Sequence, residues 1–394
     1  MQGIWDVPCF VSKGKLEKFL KTVQTPLFLY DETSFARAAQ AVFSAFSPMC
    51  GFLPRFPVRM NPNPAVLRIL RGAGCGALCR SLAELRLAGQ CGFRGRQIAY
   101  EALRADDRAE QAAHDAGAVF VLDDPAALPA RLPEAAVLLL RQQGQLRHDG
   151  KLVAGVPACY AGMERSEIFR VASSLRAHGV KWLGLGMQLG DLCMDAGFYP
   201  AIFAQLAALA QELYEKTGIC VNALDLGGGF GVGYRPGFAG SEIEACAEAI
   251  RAQLLKLPEP LAGLALQMSP GRFLAASGGM LITRVRAVKP GLPPVAVLDV
   301  DPAQCLRLAK SGVYHPAAAV RESGRQLRAQ LLTGCTRQGP AVQRILPELR
   351  PGDPVLIGML GADGRSLCSG YAGAQPCPEY LYRLDGTIEP VTAC

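Results

Sequence analysis

The chain has 394 residues, of which 50% are hydrophobic and 19% are charged, and its formal net charge is +7. This length and composition exclude an intrinsically disordered chain and favour one large domain with a smaller second one. The 41 Lys and Arg residues are spread along the chain without a basic run, so the charge gives no support for nucleic-acid binding.

The cysteines and the first residues indicate a protein of a reducing compartment. Many of the fourteen cysteines lie within apolar segments, and their spacing does not match a zinc site. The first residues lack the basic and apolar regions of a signal peptide, and no apolar run is long enough to span a membrane. We therefore expect a cytoplasmic protein with free thiols, without a metal site and without a membrane partner.

In chain order, the first predicted unit is an N-terminal segment, residues 1–25, with a Lys-rich stretch at 13–21. We expect this segment to pack on the C-terminal domain. A strand is predicted from Thr25 to Tyr30, and an Ala-rich helix from Asp31 to Phe46.

Short apolar runs of strand length then alternate with Ala- and Leu-rich stretches of helical spacing. About eight such strand–helix repeats predict a parallel (β/α) barrel over residues 26–280 rather than an open sheet. The segment 57–64 is predicted to end one strand and start a turn, and further strand-like runs lie at residues 76–79, 97–100, 118–122, 136–141, 182–188, 223–226 and 264–268.

The pattern changes after residue 280. Residues 281–288 alternate apolar and polar side chains, and further strand-like runs with Gly/Pro turns follow, such as Pro351–Asp353. Residues 281–394 are therefore predicted to form a separate, mostly antiparallel β domain.

A glycine-rich turn follows one of the predicted barrel strands. Residues 224–234 read LDLGGGFGVGY, with Gly227, Gly228 and Gly229 in succession. Glycine reaches positive φ without steric cost, so this turn can direct several backbone N–H groups at one anion. The predicted guest is a phosphate group, whereas the structural alternative is a tight turn that binds nothing.

Further motifs occur in one order along the chain: VRMNPNPAVL at 58–67, SLAEL at 81–85, GLGMQLGD at 184–191, SPGR at 269–272, YHP at 314–316, CTRQG at 335–339 and GAD at 361–363. Together with the glycine turn, this set resembles the fold-type III decarboxylases that depend on pyridoxal phosphate (PLP), the ornithine, diaminopimelate and arginine decarboxylase group. The resemblance implies an α/β fold, a (β/α)8 alanine-racemase-like barrel followed by a mostly antiparallel β domain. It also implies PLP as cofactor and an active site at a dimer interface.

Several positions that contact PLP in the family carry other residues in this chain. Arg59 stands at the position of the Schiff-base lysine, and a guanidinium stays protonated and is a very poor nucleophile. Gln188 replaces the histidine that stacks on the cofactor ring, and Ser269 replaces the glutamate that pairs with the pyridine nitrogen. Asp191 and Asp363 stand where a serine and a tyrosine approach the phosphate, and a carboxylate there repels the phosphate dianion.

The remaining candidates are few, and each has a structural alternative. A turn requires glycines for its own geometry, a buried arginine forms ion pairs, and a cysteine without a nearby base is inert. The candidate residues for a phosphate or anion site are Gly227, Gly228, Gly229, Arg272 and Arg141, and the candidate catalytic residue is Cys335.

The leading hypothesis is a pseudoenzyme, a family member that has lost standard PLP chemistry and has a binding or regulatory role. It would form a homodimer, or a heterodimer with an active homologue, and hold a small anionic ligand. The alternative is an active amino-acid decarboxylase-like enzyme with displaced or PLP-independent machinery, for which Lys151 and Lys181 are candidate amines. A third hypothesis is that PLP is held by phosphate contacts alone.

Overall fold

The computed structural model describes residues 9–391, apart from residues 48, 102–105, 130, 143–144, 154–160, 191, 236–239, 310–313, 321–324 and 334–340. The chain divides into two compact units. We call Ala36–Val232 with Ala239–Leu274 the barrel unit, and Met1–Phe35 with Gly233–Phe238 and Ala275–Ala393 the sheet unit.

Helices and strands alternate along most of the described chain. The helices are α1 (Lys13–Phe19), α2 (Glu32–Phe46), α3 (Pro64–Gly72), α4 (Leu82–Gln90), α5 (Asp107–Asp115), α6 (Arg165–Ala177), α7 (Phe198–Thr217), α8 (Ile243–Leu254), α9 (Gly271–Ala275) and α10 (Leu306–Ala309). The first strands are β1 (Leu27–Asp31), β2 (Leu53–Pro57), β3 (Gly76–Cys79), β4 (Ile98–Glu101), β5 (Val119–Leu122), β6 (Ala135–Leu139), β7 (Arg147–His148), β8 (Lys151–Leu152), β9 (Trp182–Gly186) and β10 (Ala223–Asp225). The later strands are β11 (Ala265–Met268), β12 (Gly279–Lys289), β13 (Val295–Leu298), β14 (Ala317–Ala319), β15 (Gln326–Thr333), β16 (Ala341–Pro347), β17 (Pro354–Ile357), β18 (Glu379–Tyr382) and β19 (Ile388–Pro390).

The barrel unit contains a closed barrel in which neighbouring strands are parallel. Its order is β2-β3-β4-β5-β6-β9-β10-β11, with β11 pairing back to β2. The strands are short apolar runs that are buried along nearly their whole length. The barrel predicted from strand–helix repeats is confirmed.

Helix starts in the barrel unit follow the capping chemistry of the sequence. Asn63 caps α3, where its side-chain oxygen accepts the N–H groups of Ala65 at 2.9 Å and Val66 at 3.3 Å, and Pro64 occupies the first helical position. Ser81 caps α4 by accepting the N–H of Glu84 at 3.2 Å. These caps fix where each helix begins after its strand.

The sheet unit contains a mostly antiparallel nine-stranded sheet. Its main order is β16-β15-β13-β12-β1-β18-β19, and β17 pairs with both β12 and β14. The described part of the N-terminal segment packs on this sheet through Val11, Leu16 and Leu20. No described helix is long and apolar enough to cross a membrane.

The first strand lies in a different unit from the one expected for residues 26–280. β1 pairs antiparallel with β12 and parallel with β18, so it belongs to the sheet and not to the barrel. An apolar run such as Leu27–Tyr30 specifies a buried strand but not its partners, which explains the difference. The barrel therefore begins with β2.

Candidate functional site

The carboxyl ends of the barrel strands form the candidate site, since the side chains that follow parallel strands meet at one end of a closed barrel. We call this end the mouth. Every strand of the barrel is followed or ended there by a polar residue or by glycine. These residues are Arg59 after β2, Arg80 after β3, Glu101 at the end of β4, Asp123 after β5, Arg141 after β6, Gln188 after β9, Gly227–Gly229 after β10, and Ser269 and Arg272 after β11.

The glycine turn requires glycine for steric reasons. Gly227 has φ +70° and Gly229 has φ +109°, in the left-handed region that side chains disfavour. A Cβ on Gly227 would lie 2.3 Å from the carbonyl oxygen of Met187, and one on Gly228 would lie 2.7 Å from that of Ser269. The turn is therefore packed directly against the backbone that follows β9 and β11.

Hydrogen bonds anchor the turn at several points. The N–H of Gly227 donates to Asp225 Oδ1 at 2.9 Å, and the carbonyl of Gly227 accepts the N–H of Ser269 at 2.7 Å. The carbonyl of Gly229 accepts the N–H of Cys193 at 2.8 Å. The N–H groups of Gly228 and Gly229 donate no hydrogen bond to any residue that the structure describes. These two donors are available to an anion.

A buried charged group supports the turn from within the barrel. Arg55, in the middle of β2, donates to Gln267 Oε1 at 2.5 Å and to the carbonyl of Arg96 at 2.8 Å. Burial lowers the pKa of Arg55 to about 10, although the negative charge of Asp225 opposes this shift. Burial also raises the pKa of Asp225, against the attraction of Arg55 and the N–H of Gly227. Arg55 thus compensates the carboxylate that anchors the glycine turn.

Arg59 lies in a single helical turn, Val58–Met60, directly after β2, and its side chain is half-buried. Its positive charge acts on Glu84 of α4. Burial raises the pKa of Glu84, while the N–H of Arg80 and the charges of Arg59 and Arg80 oppose the rise. The position predicted for the Schiff-base lysine therefore carries a guanidinium that faces a carboxyl group.

Two further acidic residues at the mouth, Glu101 and Asp123, are not part of the sequence motifs. Glu101 is 2% exposed, forms an ion pair with Arg80, and its Oε1 has no hydrogen-bond partner among the described residues. Burial, with the neighbouring Asp124 and Glu101, raises the pKa of Asp123, while Arg141 lowers it. A signal for Glu101 and Asp123 was present, since each is an acidic residue at the carboxyl end of an apolar strand.

The structure brings Gln188 and Ser269 together at the glycine turn. The Cα of Gln188 would be 3.3 Å from a Cβ on Gly227, and Ser269 Oγ would be 3.2 Å from a Cβ on Gly228. Ser269 is buried and Gln188 is half-buried. The residue that meets the turn from β11 therefore offers a neutral hydroxyl group rather than a carboxylate.

The two candidate arginines follow different strands of the barrel, β6 and β11, which are not neighbours in it. Arg272 is half-buried in the short helix α9, which follows β11. Arg141 is exposed, and its Nε donates to the carbonyl of Gly162 at 2.9 Å. Both remain candidates for an anion site by position.

Three of the sequence-predicted positions are not among the described residues of the barrel unit. Cys335 and Asp191 are outside the described residues. Asp363 belongs to the sheet unit, where its carboxylate pairs with Arg307 Nη1 at 3.4 Å. Arg307 Nη2 also donates to the hydroxyl of Tyr234 at 3.0 Å. The charge of Asp363 is therefore compensated within its own unit.

The lysines of the barrel unit are all exposed to solvent. Lys181 precedes β9 at the amino end of the barrel, opposite the mouth, whereas Lys151 lies in the β7–β8 hairpin between β6 and α6. Lys216 and Lys256 follow or end α7 and α8, again near the amino ends of the strands. None of these four lysines is buried in the mouth. Nor does any group of three or more His, Cys, Asp or Glu side chains in the described part of the chain form a metal site.

Comparison with known proteins identifies the family. Residues 33–276, more than half of the chain, match the model of the pyridoxal-dependent decarboxylase, pyridoxal binding domain. The chain belongs to the pyridoxal-dependent decarboxylase family.

Two curated proteins illustrate the likeness of this family member along nearly its whole length. It is 28% identical over 393 residues to the diaminopimelate decarboxylase of Methanothermobacter thermautotrophicus. This alignment covers 93% of this chain and 88% of that protein. It is 26% identical over 382 residues to Protein TabA of Pseudomonas amygdali pv. tabaci, which covers 95% of this chain and 89% of that protein.

Solved structures show the same fold. The diaminopimelate decarboxylase of M. jannaschii in complex with L-lysine has a TM-score of 0.86 at 19% identity, covering 95% of this chain and 91% of that one. The enzyme of Helicobacter pylori, also complexed with L-lysine, has a TM-score of 0.82 at 21% identity, covering 95% of both chains. The barrel and sheet architecture of this pyridoxal-dependent decarboxylase family member therefore matches that of its structural neighbours.

The described residues fit only part of the cofactor of this family. The N–H groups of Gly228 and Gly229, which bond no described residue, suit a phosphate group. A covalent link needs an amine at the mouth, and the described mouth offers the guanidinium of Arg59 instead. A protonated pyridine nitrogen needs an anionic acceptor, and Ser269 offers a neutral hydroxyl group. PLP chemistry through a Schiff base does not fit this donor set.

Proposed function

We propose that this family member has lost standard PLP chemistry and has a binding or regulatory role, with a small anion held at the glycine turn. The observation that carries the proposal is Arg59, which stands directly after β2 where the family motif has its lysine. A guanidinium does not form a Schiff base at physiological pH, because it remains protonated and its charge is delocalised. The lysines of the barrel unit offer no buried substitute.

The retained part of the site supports an anionic ligand. Gly228 and Gly229 present donors that the described residues leave unused, and Arg272 follows the neighbouring strand. The acidic residues Glu84, in the first turn of α4, and Glu101, at the end of β4, lie beside Arg59 and Arg80. A small anion at the turn thus fits the local donors without requiring a mouth that is positive throughout.

Calorimetry with inorganic phosphate, PLP and pyridoxal tests this proposal. We expect phosphate and PLP to bind reversibly and to compete, whereas pyridoxal, which lacks the phosphate, gives no heat. Arg272→Ala should weaken phosphate binding by about tenfold or more, as expected for one charge-assisted contact. Arg37→Ala serves as the control, since Arg37 is exposed on α2. Absence of heat with both phosphate and PLP would remove the anion site from the proposal.

Release of carbon dioxide separates the proposal from an active decarboxylase. Relatives of this chain are diaminopimelate decarboxylases, so diaminopimelate and the basic amino acids are the substrates to test. We expect no release above the level without protein. Release of more than one carbon dioxide per protein molecule would contradict the proposal. Loss of that release in Lys151→Arg would identify the lysine of the β7–β8 hairpin as the displaced amine.

We also propose assembly as a dimer, either of two copies or with an active homologue. The support is the family resemblance, in which residues of two subunits complete one site. Light scattering measures the mass of the protein alone and after mixing with a diaminopimelate decarboxylase. A monomer in both samples contradicts this part of the proposal.

A further inference from the structure

The sheet unit contains a small, partly open cavity between two pairs of strands. Leu298 pairs with Thr333 across β13 and β15, and Ala317 pairs with Ile357 across β14 and β17. The space open to the centre of a water molecule is about 20 Å³, which suits one or two molecules of that size. The lining side chains are Leu298, Leu308, His315, Ala317, Leu331, Thr333 and Ile357.

Two polar atoms on the wall of this cavity lack partners. His315 is 2% exposed and Thr333 is 4% exposed. His315 Nε2 and Thr333 Oγ1 are buried and have no hydrogen bond with any described residue. The other lining residues that the structure describes are aliphatic, so none of them satisfies these two atoms. Buried polar groups are nearly always hydrogen-bonded, to protein or to ordered water, and the cavity is the space that both atoms share.

The imidazole of His315 is held in a defined orientation. Its Nδ1 lies 3.1 Å from the carbonyl oxygen of Gly358. A carbonyl only accepts, so Nδ1 carries the proton and donates. The backbone carbonyl of His315 accepts from Arg344 Nε at 2.8 Å, which fixes the residue at a second point. Nε2 is therefore a fixed hydrogen-bond acceptor on the cavity wall.

Burial lowers the pKa of His315 to about 4, helped by the charges of Arg307 and Arg344 and opposed by the Gly358 carbonyl. The ring is therefore neutral near pH 7, and its free nitrogen accepts rather than donates. An anion finds no donor at Nε2, and a cation faces the repulsion of two nearby guanidinium groups. These properties restrict the guest to a neutral molecule that donates a hydrogen bond.

We infer that the cavity binds one neutral hydroxylic molecule of the size of water, which donates an O–H to His315 Nε2 and bonds Thr333 Oγ1. A hydroxylic oxygen both donates and accepts, so it satisfies an acceptor and a hydroxyl group at once. The space of about 20 Å³ suits a guest of this size, and the other described residues that line it are aliphatic and give no further polar contacts. The guest links β15 to His315, which lies two residues before β14.

A crystal structure of the full chain at a resolution that shows ordered water tests the inference. We expect a density peak in the cavity within hydrogen-bond distance of both His315 Nε2 and Thr333 Oγ1. The peak should persist in Thr333→Ser, which keeps the hydroxyl group, and should be lost or displaced in Thr333→Val, which has the same shape. An empty cavity in the unsubstituted chain overturns the inference.

Stability measurements give a second, independent test. Thr333→Val and His315→Phe should each lower the folding equilibrium constant roughly tenfold, because each leaves the guest with a missing partner. In the double variant the second substitution should cost less than it does alone, since one guest connects both residues. Strictly additive effects overturn the inference.

Discussion

The N–H of Gly227 donates to Asp225 Oδ1 at 2.9 Å, so a buried carboxylate anchors the glycine turn at the mouth of the barrel. Asp225 is 5% exposed, and the nearby Arg55 supplies the compensating positive charge. The turn therefore depends on a charged group inside the barrel as well as on its own glycines.

Removing Arg55 should strongly destabilise the barrel unit. We expect Arg55→Met to lower the free energy of unfolding by about 3–5 kcal/mol, because it leaves Asp225 buried without its compensating charge. Denaturant unfolding followed by circular dichroism measures this. Arg37→Met, at an exposed arginine, should stay within about 0.5 kcal/mol. The double variant Arg55→Met with Asp225→Leu should be more stable than Arg55→Met alone, and a double variant that is less stable contradicts the compensation of the Asp225 charge by Arg55.

A side chain at the first glycine of the turn should not be tolerated. Gly227→Ala places a Cβ 2.3 Å from the Met187 carbonyl oxygen at a residue with φ +70°. We expect a loss of at least about 2 kcal/mol in the free energy of unfolding. Gly72→Ala is the matched control, since Gly72 ends helix α3 with nothing within 4 Å of a new Cβ. That variant should be neutral or more stable by up to about 1 kcal/mol, and equal losses for both variants would contradict the steric explanation.

The stability of the sheet unit should depend on pH through His315. Burial lowers the pKa of His315 to about 4 in the folded protein, below the 6.5 of an unperturbed histidine, so the unfolded chain binds more protons between these pH values. The contribution of His315 to the free energy of unfolding therefore falls as pH decreases from 6.5 to 4, by up to about 3 kcal/mol. Arg307 and Arg344, which face the ring, oppose its protonation.

The comparison of variants isolates this effect from the carboxyl groups that titrate in the same range. The unfolding free energy of the unsubstituted chain minus that of His315→Phe should decrease as the pH falls from 6.5 to 4. His178→Phe, at an exposed histidine, should show little change. A difference that does not vary with pH contradicts the lowered pKa of His315.

Much of the fold could be predicted from the sequence, because the spacing and number of apolar residues in a segment indicate which of its faces is buried. Several strands of the barrel, such as β5 and β6, are continuous apolar runs. Asn63 and Ser81 mark helix starts through their capping chemistry. The membership of β1 in the sheet could not be predicted, since pairing with β12 and β18 depends on residues about 250 and 350 positions away.

The site could be predicted only in part. Motif spacing located the glycine turn, Gln188 and Ser269, which the structure brings together. The motifs did not predict that the charges of Arg55 and Asp225 act on each other inside the barrel, because a charged residue within a strand does not indicate which residue compensates it. The ion pair between Asp363 and Arg307 was also not predicted, and it depends on tertiary packing within the sheet unit.

Restoring an amine at the end of β2 should restore covalent binding of PLP. We expect Arg59→Lys, incubated with PLP and reduced with borohydride, to carry the adduct on residue 59, because the amine replaces the guanidinium at the strand end beside the mouth. Arg68→Lys, at an exposed arginine of α3, is the control for nonspecific labelling. Peptide mapping that finds equal labelling in both variants contradicts the placement of Arg59.

The central claim is that the natural chain forms no Schiff base with PLP. Incubation of the purified, unsubstituted protein with PLP, followed by borohydride reduction and peptide mapping by mass spectrometry, tests it directly. The account predicts no stoichiometric adduct on any lysine, although PLP binds reversibly through its phosphate. A stoichiometric adduct on one lysine, with Lys151 as the first to inspect, would contradict it.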